Sequence, residues 1–162
     1  MTQWFPLFLF VHILTAIVAF GPTFAFSIIG RMGGAEPQHA NFATRVSNAI
    51  SHRIVLPAAL TMPISGILMI WSAGMDVVQL WLLLGIGLYI VAITFSVLVQ
   101  TPAVERLIQM TSMAPAPAGP GAAVAGPPPE LRAAVARVQQ GGMFLGVMIV
   151  VIVGLMVLRP TI

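Results

Sequence analysis

Cysteine and lysine are both absent from the 162 residues, and only four acidic residues stand against seven arginines. Without a thiol there is no disulfide, no thiolate metal site, no cysteine-ligated iron–sulfur cluster and no cysteine nucleophile. Charge of either sign is scarce, at 7% of residues, where soluble domains carry about 25%. Hydrophobic residues make up 59% of the chain, and the mean hydropathy is +1.02. A compact body of this length has too little interior to hide that much apolar surface from water, so a water-soluble fold is excluded and lipid is the remaining solvent. The high isoelectric point of 11.2 reflects the lack of acids. The arginines form no stripe, which argues against nucleic-acid binding. Glu36, Asp76, Glu105 and Glu130 fall outside the apolar runs and form no paired carboxylate site. No phosphate loop, zinc motif or Ser-His-Asp arrangement is present, so a catalytic residue set is not expected.

Four apolar runs, at about 5–29, 54–71, 80–98 and 143–158, come close to the length of about 20 helical residues that crosses a bilayer core. They predict a single all-α domain, a polytopic four-helix membrane bundle. The first run is expected to be a span and not a cleaved signal peptide, because no basic residue precedes it and it exceeds a signal core in length. Six of the seven arginines, Arg31, Arg45, Arg53, Arg106, Arg132 and Arg137, fall in the two loops on one side. The positive-inside rule makes that side cytoplasmic and puts both termini outside. Trp4, Trp71 and Trp81 then all reach the outer interface, where indole rings prefer to sit.

The first cytoplasmic loop is expected to be helical from about Gln38 to Ser51, with Phe42, Val46 and Ile50 on one face. The second contains Ala114 to Pro129, six prolines among Ala, Gly and Val, and reads as a mobile linker between cytoplasmic extensions of the third and fourth helices.

Helix association in lipid depends on close backbone approach and a few polar contacts. Gly142, Gly146 and Gly154 share one face of the fourth helix, available to another helix of the chain, a partner subunit or a second copy. His12, Thr15, Ala16, Ala19 and Thr23 stripe the first helix, and Ala58, Thr61, Ser65 and Met69 the second, so these two are expected to face each other or share a ligand. Pro22 and Pro63 should kink their helices and free the carbonyls of Val18 and Ala59.

His12 is the one strongly polar, ionisable side chain deep in a span, and such a residue marks function by default. Its imidazole suits a haem iron, a copper ion or a proton relay; the structural alternative is a neutral ring bonded to a freed carbonyl, Thr61 or Ser65. Counting residues brings Met69 and Met156 level with it, giving a candidate metal set of His12, Met69 and Met156. His52 and Arg53 fall at the cytoplasmic end of the second helix, too far from His12 for the two imidazoles to sandwich one haem. There they suit a lipid phosphate or a cofactor propionate, or act simply as an interface anchor.

Residues spread along nearly the whole chain resemble the bacterial integral-membrane family designated domain of unknown function 2269. They are Leu9, Phe10, Val11 and His12 with Ala16, Ile17, Val18 and Gly21; Arg53 with Leu56, Pro57, Ala58 and Gly66; Trp81, Pro102 and Arg106; and Leu158, Arg159 and Pro160. The order of these short pieces carries the likeness. That family is similar in outline to copper-resistance membrane domains and to the four-helix, haem-containing protoporphyrinogen oxidase of bacteria. The resemblance implies a multi-pass protein of the bacterial inner membrane and a haem or metal role for His12. Leu82 to Leu88 in the third run holds no ionisable residue, unlike the pattern expected of that haem enzyme. The expected role is therefore a non-catalytic membrane component, an accessory subunit or a bundle holding a hydrophobic ligand, with haem b favoured. A haem-dependent redox enzyme acting on porphyrin or quinone and a copper-handling protein are the alternatives.

Overall fold

The computed structural model describes residues 3–112 and 127–160, so the expected linker Ala114 to Pro129 lies, as far as residue 126, outside the described residues. Within them every regular element is helical. Helix α1 (Phe5–Ala35) has Pro6 in its first turn, where a missing N–H leaves no bond unmade, and the amides of Leu7 and Phe8 close onto the Trp4 carbonyl. It continues past the expected end at Ile29, because nothing before Pro37 stops it. Glu36 leaves helical geometry ahead of that proline, as residues preceding proline do.

One tight turn at Pro37–His39, with His39 Nδ1 2.8 Å from the Glu36 carboxylate, leads into α2 (Ala40–Ile50), the amphipathic helix expected of this loop. It doubles back onto α1 so closely that a Cβ added to buried Gly33 would stand 2.9 Å from the Ala43 Cβ. α2 then runs without a break through a wide π-helical turn, Ser51–Val55, into α3 (Leu56–Ala73). α4 (Leu80–Phe95) likewise passes through a wide turn, Ser96–Gln100, into α5 (Thr101–Ser112). Each wide turn ends two residues before a proline, Pro57 and Pro102. A proline ring crowds the carbonyl four residues back, here that of Arg53 or Leu98, and widening the turn relieves the clash. Pro22 and Pro63, where the sequence places kinks, lie inside α1 and α3 respectively. α6 (Pro129–Leu158) includes the expected extension ahead of the fourth apolar run.

α1 packs chiefly on α3 and α4 on α6, while α1 also meets α6 and α2 meets α5. All four long helices therefore have one end near Trp4, Trp71 and Trp81 and the other near the six clustered arginines; we call these the tryptophan end and the arginine end. At the arginine end Asn41 Nδ2 donates to the Ile108 carbonyl at 3.0 Å and to Thr111 Oγ1 at 2.9 Å, fastening α2 to α5. Asn41→Ala is expected to cost about 1 kcal/mol, seen as a lower midpoint of thermal unfolding in detergent.

Most large apolar side chains face outward. Among the described residues no large side chain is fully buried, whereas Trp71 is 71% and Leu158 79% exposed. The contact faces mix small groups, with Ala19, Ala59, Ser65, Ser72, Gly33, Gly85 and Gly141 buried, and a few large ones, Met62, Trp81, Leu82, Leu107, Ile149 and Ile152. Ala19, with no exposed surface, lies between Ala59 and Met62 where α1 crosses α3. Backbones that approach over small residues, with large apolar groups turned outward, are what lipid selects.

Candidate functional site

His12 lies on the α1 face toward α3, as the sequence stripes predict. Its Nδ1 is 2.9 Å from Ser65 Oγ, and Ser65 Oγ is also 2.9 Å from the Met62 carbonyl. A carbonyl accepts only, so the single serine proton points at Met62, and Oγ has only lone pairs left for the ring. Nδ1 therefore carries the imidazole proton and donates, and the network assigns the tautomer with a lone pair on Nε2. No donor among the described residues meets Nε2. Gly66 lies beside the ring: a Cβ there would stand 3.5 Å from His12 Cε1, at ordinary contact distance. Ser65 is thus the partner, whereas the Thr15 and Thr61 hydroxyls turn back to carbonyls of their own helices.

The remaining sequence-derived candidates are spread out. Met69 lies one turn beyond Ser65 on α3, about 6 Å along the axis at about 1.5 Å per residue. Met156 packs on α4, where its Cε would be 2.7 Å from a Cβ on Gly85. His52 and Arg53 are exposed at the arginine end, twelve or more residues from Ser65 and so about 18 Å or more away along α3. Among the described residues no three His, Cys, Asp or Glu side chains gather into a metal cluster.

A Cβ added to Gly146 or Gly154 would meet nothing within 4 Å among the described residues; the α6 glycine that packs against the α4 segment is Gly141. Its neighbour is Gln100, whose Nε2 donates to the Val138 carbonyl at 3.0 Å. Tyr89 donates its hydroxyl to the carbonyl of Ala59, the one that Pro63 leaves without an amide. At the tryptophan end the Trp81 indole donates to Gln79 Oε1 at 2.8 Å and carries the Arg159 guanidinium 5.4 Å above its ring. Tyr89 and Gln100 went unnoticed in the sequence, although the lone tyrosine of the chain and an amide closing an apolar run are both visible there.

Four helices long and apolar enough to span a bilayer, closed over small residues and with large apolar groups outward, define a four-helix integral membrane bundle. The chain belongs to the family described as Predicted integral membrane protein (DUF2269), which matches residues 6–160. No curated protein and no solved structure matches it.

Proposed function

We propose that this protein is a non-catalytic component of the bacterial inner membrane whose His12 offers Nε2 to a hydrophobic group at an interface with a partner subunit, with haem b the favoured group. One observation carries this: a ring held by its Nδ1–H to Ser65 Oγ at 2.9 Å, with the opposite nitrogen unpartnered. Metal-binding imidazoles are oriented in this way, by a hydrogen bond from the nitrogen that does not ligate. In lipid an unmet polar atom is costly, which favours a ligand or partner at that nitrogen. The fit to haem covers one axial position. Met69 lies one turn beyond Ser65 on α3, and His52 and Arg53 are too far along α3 to receive propionates from the same macrocycle. The remaining contacts would come from the partner, through the Gly142, Gly146 and Gly154 face, which is open at Gly146 and Gly154. The bound group would supply axial coordination chemistry; this chain would orient the imidazole and exclude water. The arginine end is cytoplasmic in this arrangement, with both termini outside.

Extraction from native membranes in mild detergent tests the proposal by absorption spectrum, metal content and co-purifying proteins read together. A Soret band is expected that His12→Ala abolishes and Ser65→Ala shifts or weakens, in a particle larger than the monomer. Absence of the band from wild-type protein, with His12→Ala leaving abundance and assembly unchanged, overturns it. Stoichiometric copper lost on replacing His12 and Met69 would favour copper handling instead. Turnover of porphyrin or quinone that His12→Ala abolishes in folded protein would favour an enzyme.

A further inference from the structure

A second feature lies at the arginine end, independent of what His12 holds. An open groove of about 590 Å³ runs between α2, the wide turn Ser51–Val55 and α5. Arg45, His52 and Arg53 line it together with Phe42, Val46 and Ile108. Neither guanidinium pairs with a carboxylate among the described residues. The four acids are accounted for elsewhere or unpaired: Glu36 faces His39, Asp76 holds the Val78 amide at the far end, and Glu105 and Glu130 make no ion pair. His52 is fixed by Nδ1 donating to the Asn48 carbonyl at 3.1 Å, which leaves its other nitrogen for the groove.

The wide turn is what gathers the two arginines. In an unbroken α-helix Arg53, eight residues after Arg45, would stand about 80° further around the axis. A π-helical turn advances less per residue, because its bonds close over five residues and not four. Arg53 is therefore swung back toward the face of Arg45, and both border one groove. Pro57, whose ring crowds the Arg53 carbonyl, follows this turn by two residues.

We propose that this groove binds the phosphate headgroup of an anionic phospholipid, with Arg45 and Arg53 on the phosphate oxygens and an acyl chain along Phe42, Val46 and Ile108. Charge complementarity and the apolar floor select this occupant: a phosphate alone has no use for three large apolar side chains, and a zwitterionic lipid brings an ammonium toward two guanidinium groups. The amphipathic α2 lies where such a headgroup sits, since the groove adjoins the start of the α3 apolar run.

Full-length protein in mild detergent, delipidated and then given phosphatidylglycerol, phosphatidylcholine or inorganic phosphate, provides the test by native mass spectrometry and thermal unfolding. Retention of phosphatidylglycerol is expected, with a raised unfolding midpoint, and little of either with phosphatidylcholine or phosphate. Arg45→Gln and Arg53→Gln should each weaken retention roughly fivefold, and together roughly 25-fold. Both side chains are exposed, so the variants should fold; unfolding without added lipid checks this, and Phe42→Ser gives a second variant that keeps the charge but loses the chain contact. Equal retention by wild type and the double Arg variant overturns the proposal. So does an equal loss in Arg132→Gln/Arg137→Gln, which removes the same charge elsewhere, or a full stability gain from inorganic phosphate alone.

Discussion

Gly141→Leu is expected to be the most damaging single substitution in the bundle, lowering stability by about 3 kcal/mol or more, as loss of the monodisperse peak on heating in detergent. A Cβ on Gly141 would fall on the side-chain oxygen of Gln100 and lie 3.5 Å from Phe95 Cε1. The amide must rotate away and abandon the Val138 carbonyl, which costs about 1 kcal/mol in lost hydrogen bonding. The leucine branches then press on Phe95, whose ring is tilted 59° against Phe144 at 4.7 Å, and overpacking of this kind costs about 1–3 kcal/mol. Gly141→Ala separates the two effects. It displaces Gln100 but reaches Phe95 only at ordinary contact distance, so Gly141→Ala made in a Gln100→Ala background should cost much less than in wild type. Equal costs in the two backgrounds would show that the glycine and the amide do not meet.

Tyr89→Phe should lower stability by about 1–2 kcal/mol by the same measure. The lost hydroxyl serves the Ala59 carbonyl, which the ring of Pro63 deprives of its helical donor and which faces lipid-depth surroundings without water. Pro63→Ala returns an amide to that carbonyl. In the Pro63→Ala background the tyrosine hydroxyl becomes dispensable, and Tyr89→Phe should then cost little. If Tyr89→Phe is as harmful with alanine at 63 as with proline, the tyrosine acts through packing against Ala19, Ala59 and Met62 and not through its hydroxyl.

What could be read from the residues, and what could not, divides along physical lines. Chain segments facing lipid announce themselves by composition, so the four long helices and the amphipathic α2 were legible. The meeting of the α1 and α3 stripes, and Ser65 as a candidate partner of His12, followed from the 3.6-residue period. Pro63 marked Ala59 as a carbonyl in need, yet the donor comes from a helix with its own rotation, which no local pattern fixes. The same uncertainty of rotation separates Gly142, legible as part of a small-residue face, from Gly141, which makes the contact. The wide turns were missed because Pro57 and Pro102 look like ordinary helix starts. Which α3 residues stand beside the His12 ring depends on where the helices cross, and the structure puts Ser65 and Gly66 there.

The pairing of α4 with α6 bears on how the polypeptide assembles during synthesis. Chains emerge from the ribosome amino end first, so α1 and α3 are both available early and can close their alanine seam while the rest is still being made. α4 enters the bilayer next with Trp81, Leu82 and Gly85 turned toward a neighbour that does not yet exist. Only when α6 arrives, bringing Met156 to Gly85 and Arg159 to the Trp81 indole, does that face find its cover. A nascent chain arrested before residue 129 would thus hold α4 by Tyr89 and Ile93 alone, with its Trp81, Leu82 and Gly85 face uncovered, which is the species a membrane quality-control protease would be expected to seize.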